Sequence, residues 1–165
     1  MHQIAYFASL LSIVSLLSCA HEPSGKLQNQ QPMNPTILVR LHEKVEAKLG
    51  QKSERWKRGN FRQHKESNEW DISFSSSGGD LRIIVMVTPS DDTAIARLNY
   101  LTKVTPFPSQ IDGIGDAAFL SKSTASERCS LSFRSRNTIV TVEASSENIC
   151  RESALDMLNI FRDEH

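Results

Sequence analysis

Apolar and polar positions recur along this chain with two periods, and the period separates helix from strand. Leu38, Leu41, Val45 and Leu49 follow Ile37 at helical spacing. Asn34-Pro35 stands before them and Gly50 after them, which predicts a first helix with an asparagine cap, proline at its first position and a glycine stop. Further on the period becomes two. Trp70, Ile72 and Phe74 alternate with Asp71, Ser73 and Ser75, and Leu81, Ile83, Val85 and Val87 alternate with Arg82, Ile84 and Met86. Ser76 to Gly79 supplies the turn between them. A two-residue loop at Ser77-Gly78 or at Gly78-Gly79 sets Trp70, Ile72 and Phe74 against odd-numbered residues, so either register builds one apolar face.

Pro89 ends that strand. Ser90-Asp91-Asp92 then opens a second helix with a cap and two acids in the first turn, its apolar face drawn from Ala94, Ile95, Leu98 and Leu101. Pro106 and Pro108 stop it. Asp112 to Asp116 reads as a turn with Gly113 and Gly115 at positive φ and Asp116 capping amides within it, before a short strand from Ala117 to Leu120. A second hairpin follows. With Arg136-Asn137 as its loop, Phe133 meets Val140, Leu131 meets Val142 and Cys129 meets Ala144, all on one face, while Ser130, Ser132, Thr141 and Glu143 take the other. A last helix from about Glu147 to Arg162 is expected to bury Leu155, Leu158 and Phe161. Strands thus come in adjacent pairs. The fold class expected is α+β: an antiparallel sheet of two hairpins plus short strands, packed by about three helices.

The segment IDGIGDAAFL (111–120) and the hairpin RCSLSFRSRNTIVTVEAS (128–145) resemble small bacterial envelope lipoproteins and kinase sensor domains. In those proteins a Gly-x-Gly-Asp-x-Ala-Phe-like turn precedes a strand pair and a closing helix. The resemblance spans about residues 35–162. It implies a PsbP/Mog1-like α/β/α sandwich and an envelope compartment, and it brings no catalytic residues.

Ahead of this domain an apolar run from Ile4 to Leu17 ends in Leu16-Leu17-Ser18-Cys19. It is shorter than the roughly 20 residues that span a bilayer and has the character of an export signal. A cysteine behind Leu-Leu-Ser resembles the bacterial lipobox, which implies lipidation at Cys19. An ordinary signal peptide cut after Ala20, or a retained anchor, are the alternatives. The organisation expected is a signal peptide over 1–18, a lipidated N-terminus and flexible tether over 19–34, and a single α+β domain over 35–165. The tether is polar, with two prolines and no aromatics. Several acyl chains at about 0.8 kcal/mol per buried methylene would make attachment to the membrane permanent.

Assigning Cys19 to lipid leaves Cys129 and Cys150 as an even pair. An oxidising compartment predicts a disulfide between them, and in the chain-entropy model it would contribute about 3 kcal/mol. Free thiols or metal ligands are the alternative.

Charge changes the picture only through its distribution. Lysine plus arginine equals aspartate plus glutamate, 19 each, so net charge points to no nucleic-acid partner. Residues 20–65 nevertheless hold 10 basic and 4 acidic side chains. The stretch 51–65 concentrates them, with Arg55, Lys57, Arg58 and Arg62 interleaved with Trp56 and Phe61, and a turn or bulge expected at Gly59-Asn60. Such a stretch can hold an anionic envelope component or an acidic protein, phosphates by charge and sugar or acyl faces by the rings. The plainer reading is an edge strand whose charges block edge-to-edge pairing, with Trp56 and Phe61 in the core.

Motifs for chemistry are absent from the sequence. The Gly113–Gly115 turn lacks the third glycine and the strand-then-helix setting of a nucleotide loop. The histidines have no metal-ligand spacing, and no serine sits in a G-x-S-x-G elbow. Glu43 and Glu46 read as a solvated helix face shared with Lys44 and Lys48, which needs no catalysis. No catalytic residue, metal or cofactor is therefore assigned. The expectation is a lipid-anchored cell-envelope protein acting as a non-catalytic binding or structural module. The alternative is an envelope enzyme whose site assembles from distant residues.

Overall fold

The computed structural model describes residues 35–52, 56–64, 67–123 and 128–162, with side chains from Leu38 onward. The signal segment, Cys19, the tether and Arg55 lie outside the described residues. Among the described residues three helices, α1 (Pro35–Gly50), α2 (Asp91–Val104) and α3 (Glu147–Arg162), accompany seven strands. These are β1 (Lys57–His64), β2 (Glu69–Ser76), β3 (Gly79–Val87), β4 (Ser109–Ile111), β5 (Ala117–Lys122), β6 (Cys129–Ser135) and β7 (Thr138–Ala144). The strands form one sheet in the order β1-β2-β3-β7-β6-β5-β4, with every neighbouring pair antiparallel. The α+β expectation holds.

Both hairpin registers are those expected. Trp70 faces Val85, Ile72 faces Ile83 and Phe74 faces Leu81, which makes Ser77-Gly78 the loop. Phe133 faces Val140, Leu131 faces Val142 and Cys129 faces Ala144, with Arg136 at φ +52 in the loop. The apolar faces of both hairpins merge because β3 pairs with β7, Ile83 opposite Val142 and Val85 opposite Val140. Against this face lie α1, through Leu41, Val45 and Leu49, and α3, through Ala154, Met157, Leu158 and Phe161. Fully burying side chains of this size contributes about 1.5–3 kcal/mol each before the entropy of ordering them.

The opposite face is covered differently. Among the described residues only α2 lies on it, placing Ala94 and Leu98 over Phe119 and Ile139, with Met86 and Leu101 packed alongside. Ser90 caps this helix by accepting a bond from the Thr93 amide at 3.2 Å. The result is three layers, two helices, a sheet and one helix, as the PsbP/Mog1 resemblance implied.

Four expectations need correction. Ile95 and Leu155 are exposed, at 41% and 47%. In α3 the inward stripe is centred on Cys150, Ala154, Met157 and Phe161, at spacings of four, three and four, and Leu155 falls off it. Asp116 serves a neighbouring turn instead of its own: its carboxylate accepts from the Arg136 amide at 2.7 Å and pairs with Arg134 at 3.2 Å. Gly113 and Gly115 do take positive φ, and a Cβ at Gly115 would lie 2.2 Å from the Arg134 carbonyl oxygen. Finally, Cys129 and Cys150 are buried free thiols, not a disulfide. The compartment argument speaks to oxidation, whereas a bridge also needs sulfurs about 2.05 Å apart. Here each thiol is turned to a carbonyl, Cys150 donating to Val142 at 3.1 Å and Cys129 to Ser146 at 3.5 Å. Contact between the two thiols, then burial, pushes the Cys150 pKa up. The same contact, against burial, lowers that of Cys129.

Candidate functional site

The basic stretch becomes β1, an edge strand exposed along its whole length. Its register shifts between Arg58 and Phe61, so the bulge expected at Gly59-Asn60 is present. Ser73 on β2 secures it, accepting from the Asn60 amide at 2.9 Å, and a Cβ on Gly59 would come within 2.6 Å of the Ser73 hydroxyl. The bulge also divides the candidate residues between two faces. Arg58 lies opposite Phe74 and Phe61 opposite Ile72, on the side covered by α1. There Arg58 pairs with Glu46 at 2.6 Å, and the Phe61 ring packs 4.0 Å from His42, centroid to centroid. Trp56 is buried in the core as that reading expected, whereas Phe61 is 36% exposed at its edge and is not part of it. Lys57 lies opposite Ser75 and Arg62 opposite Asp71, on the other face. The structure therefore does not bring the six candidates together. Two of the five described point to the half-open face, and the aromatics belong to the packed one.

That half-open face carries a site that motif reading missed. Because α2 covers one part of it, the end of the sheet around the β2–β3 turn is left as a groove of about 860 Å³. Across its floor one row of residues runs in direct cross-strand register: Ser73, Arg82, Glu143, Ser130 and Ser121. Arg82 is the hub. Its Nε donates to Asp71 at 3.1 Å and its Nη1 to Glu143 at 3.4 Å. The bond to Asp71 is the main reason its pKa is held above the ordinary arginine value, against the opposing effect of burial. Asp71 is buried and has a second contact, His64 Nε2 at 3.4 Å. At the outer end Arg128 approaches Asp80 at 3.6 Å.

One wall of the groove is the exit of α2. Ser121 donates to the Pro106 carbonyl at 2.5 Å and pins this connection to β5. The next residue, Phe107, sits at φ +50 with its side chain 74% exposed on the groove rim. A left-handed backbone costs a bulky L-residue roughly 1–2 kcal/mol, so the conformation is held by its surroundings, where Ser121 fixes Pro106. The sequence signal for this site was the polar half of each alternating strand. What it lacked was how far α2 reaches over that half.

Among the described residues, no three His, Cys, Asp or Glu side chains gather as a metal site requires. No helix among them is long and apolar enough to cross a membrane. Comparison with protein families and with curated proteins finds no match. Among solved structures, a GTP binding regulator from Thermotoga maritima is similar in fold at 12% sequence identity. The similarity covers 76% of this chain and 87% of that one, with a TM-score of 0.52. At that identity the likeness speaks to the fold alone.

Proposed function

We propose that this chain is a lipid-anchored cell-envelope protein whose domain is a non-catalytic binding module, with the groove on the half-open sheet face as its binding surface. The observation that carries the reading is the groove itself. It is within the roughly 300–1,000 Å³ of ordinary ligand sites, and its polar floor is set by cross-strand register on a rigid sheet instead of by loops. Its charged groups hold one another, Arg82 with Asp71 and Glu143, an arrangement suited to orienting a bound molecule. The envelope location and anchor rest on the Leu-Leu-Ser-Cys19 segment. Incorporation of a palmitate analogue, abolished in Cys19→Ala, is the expected sign of the anchor, and equal labelling of both would sink it.

The binding surface is tested by retention of the full chain on isolated envelope fragments. The double variant Phe107→Ala/Glu143→Gln is expected to lose most of that retention. If retention is instead unchanged there, and is lost in a salt-sensitive way when Lys57, Arg58 and Arg62 become serine, the edge strand β1 is the surface and the groove reading is wrong.

A further inference from the structure

The groove's chemistry restricts what it can hold. Arg82 stands between two carboxylates, Asp71 and Glu143, so this cluster offers an anion no net positive charge, and drawing its Nε to an anion would uncover Asp71, a carboxylate only 5% exposed. Uncovering a buried charge of that kind costs on the order of 1–3 kcal/mol or more. A cation meets the reverse obstacle, since Glu143 is already engaged by Arg82 and Asp80 by Arg128. A neutral ligand rich in hydroxyls avoids both. Arginine has five N–H donors, and two of those on Arg82 serve Asp71 and Glu143, which leaves donors over. Each carboxylate keeps lone pairs on the oxygen its arginine does not use. Ser75 and Ser130 add hydroxyls that both donate and accept, whereas the Ser73 hydroxyl is taken up by the Asn60 amide and carbonyl.

The rim supplies what such a ligand needs besides hydrogen bonds. A sugar ring has a C–H face that packs on an aromatic ring, and Phe107 is held out over the groove in a backbone conformation that phenylalanine does not choose by itself. Backbone strain at a ligand rim is where such conformations cluster. The groove is open and elongated along the strand row from Ser73 to Ser121, so it suits a chain of residues more than a single compact molecule.

Resting on the groove being the binding surface, we infer that its ligand is a neutral oligosaccharide, laid across the Ser73–Arg82–Glu143–Ser130 row with one sugar face stacked on Phe107. Recognition is by hydrogen bonding to intact ion pairs, so it is insensitive to salt, unlike the capture of an anion.

The test titrates the full chain with cellotetraose, maltotetraose and chitotetraose at low and high salt, alongside hexaglutamate and inorganic phosphate. At least one tetrasaccharide is expected to bind with little change between salts. Phe107→Ala is expected to weaken it by about tenfold, the measure of one lost contact of this size. Glu143→Gln, which keeps the shape and removes the charge, should weaken it less. Saccharide binding that is equal in wild type and Phe107→Ala overturns the inference by placing the sugar elsewhere. Salt-sensitive binding of phosphate or hexaglutamate without any saccharide overturns the ligand class, yet leaves the groove as the binding surface if the same variants abolish it. Binding of none of these probes, with envelope retention still lost in the groove variant, also overturns the ligand class alone. Retention that survives the groove variant is the separate failure of the underlying reading.

Discussion

The two faces of the sheet are made by alternate residues of the same strands, yet they are finished in different ways. On one, α1 and α3 close over Trp70, Ile72, Ile83, Leu131 and Phe133, all of them at or near zero exposure. On the other, α2 closes over Phe119 and Ile139 and stops, and the rest of the surface is built from serines, Arg82, Asp71 and Glu143. The first face is bound together by the transfer of apolar area from water, which is non-directional and large. The second is organised by directional bonds of small net worth, which matter most when one partner is removed. Stability and recognition are thereby assigned to opposite sides of one layer, and substitutions on the two sides should have separable effects.

The largest effect is expected from Phe133→Ala. The side chain is fully buried between the sheet and α3, and its truncation should destabilise the fold by about 3–5 kcal/mol. Phe107→Ala, an aromatic deletion of equal size on the other side, should stay within about 0.5 kcal/mol. Chemical denaturation of both variants checks the pair. Comparable losses would erase the distinction between a structural face and a recognition face.

An intermediate effect is expected at the hub of the open face. Arg82→Met takes the Nε donor from Asp71, whose buried carboxylate keeps, among the described residues, His64 at 3.4 Å. The expected cost is about 1–3 kcal/mol. Because most of it is the penalty of an uncovered charge, adding Asp71→Asn should return part of the loss. A double variant no better than Arg82→Met alone would show that Asp71 is held by something other than this pair.

These contrasts also explain what could be read from the chain. Both hairpin registers were legible because turn and alternation agree: Arg136-Asn137 and the Phe133/Val140 pairing demand the same face. The bounds of α3 were legible from its spacing, but its orientation was not. Leu155 has helical spacing with Leu158, and only contact with β6 and β7 shows that Met157 and Ala154 face inward. The strand β4 escaped notice because it is three residues long, largely exposed, and preceded by Pro106 and Pro108. Its pairing with β5 through Ser109 and Leu120 is a tertiary fact. The groove was half legible. Alternation marked Ser73, Arg82, Ser130 and Glu143 as one face, but the reach of α2 decides whether that face is open. The basic stretch had the opposite fate. Its charge density was visible, while the bulge at Gly59 that parts Arg58 and Phe61 from Lys57 and Arg62 takes a register to see.

The smallest predicted effect sharpens the comparison from the closed side, where the polar contacts sit at the margin of the apolar core. Lys52, just past α1, reaches α3 and pairs with Asp156 at 2.6 Å and Glu152 at 3.1 Å. The bond to Asp156, more than the opposing burial, raises its pKa. A lysine raised on folding contributes stability that is complete below its unfolded value of about 10.4 and is lost as pH climbs through the higher folded value. After solvent screening the contribution is roughly 0.5 kcal/mol. The stability gap between wild type and Lys52→Gln should therefore be constant from neutral pH to about 10 and close above it. A gap that persists unchanged in strong alkali would mean that the lysine stem, packed between α1 and α3, matters and its charge does not.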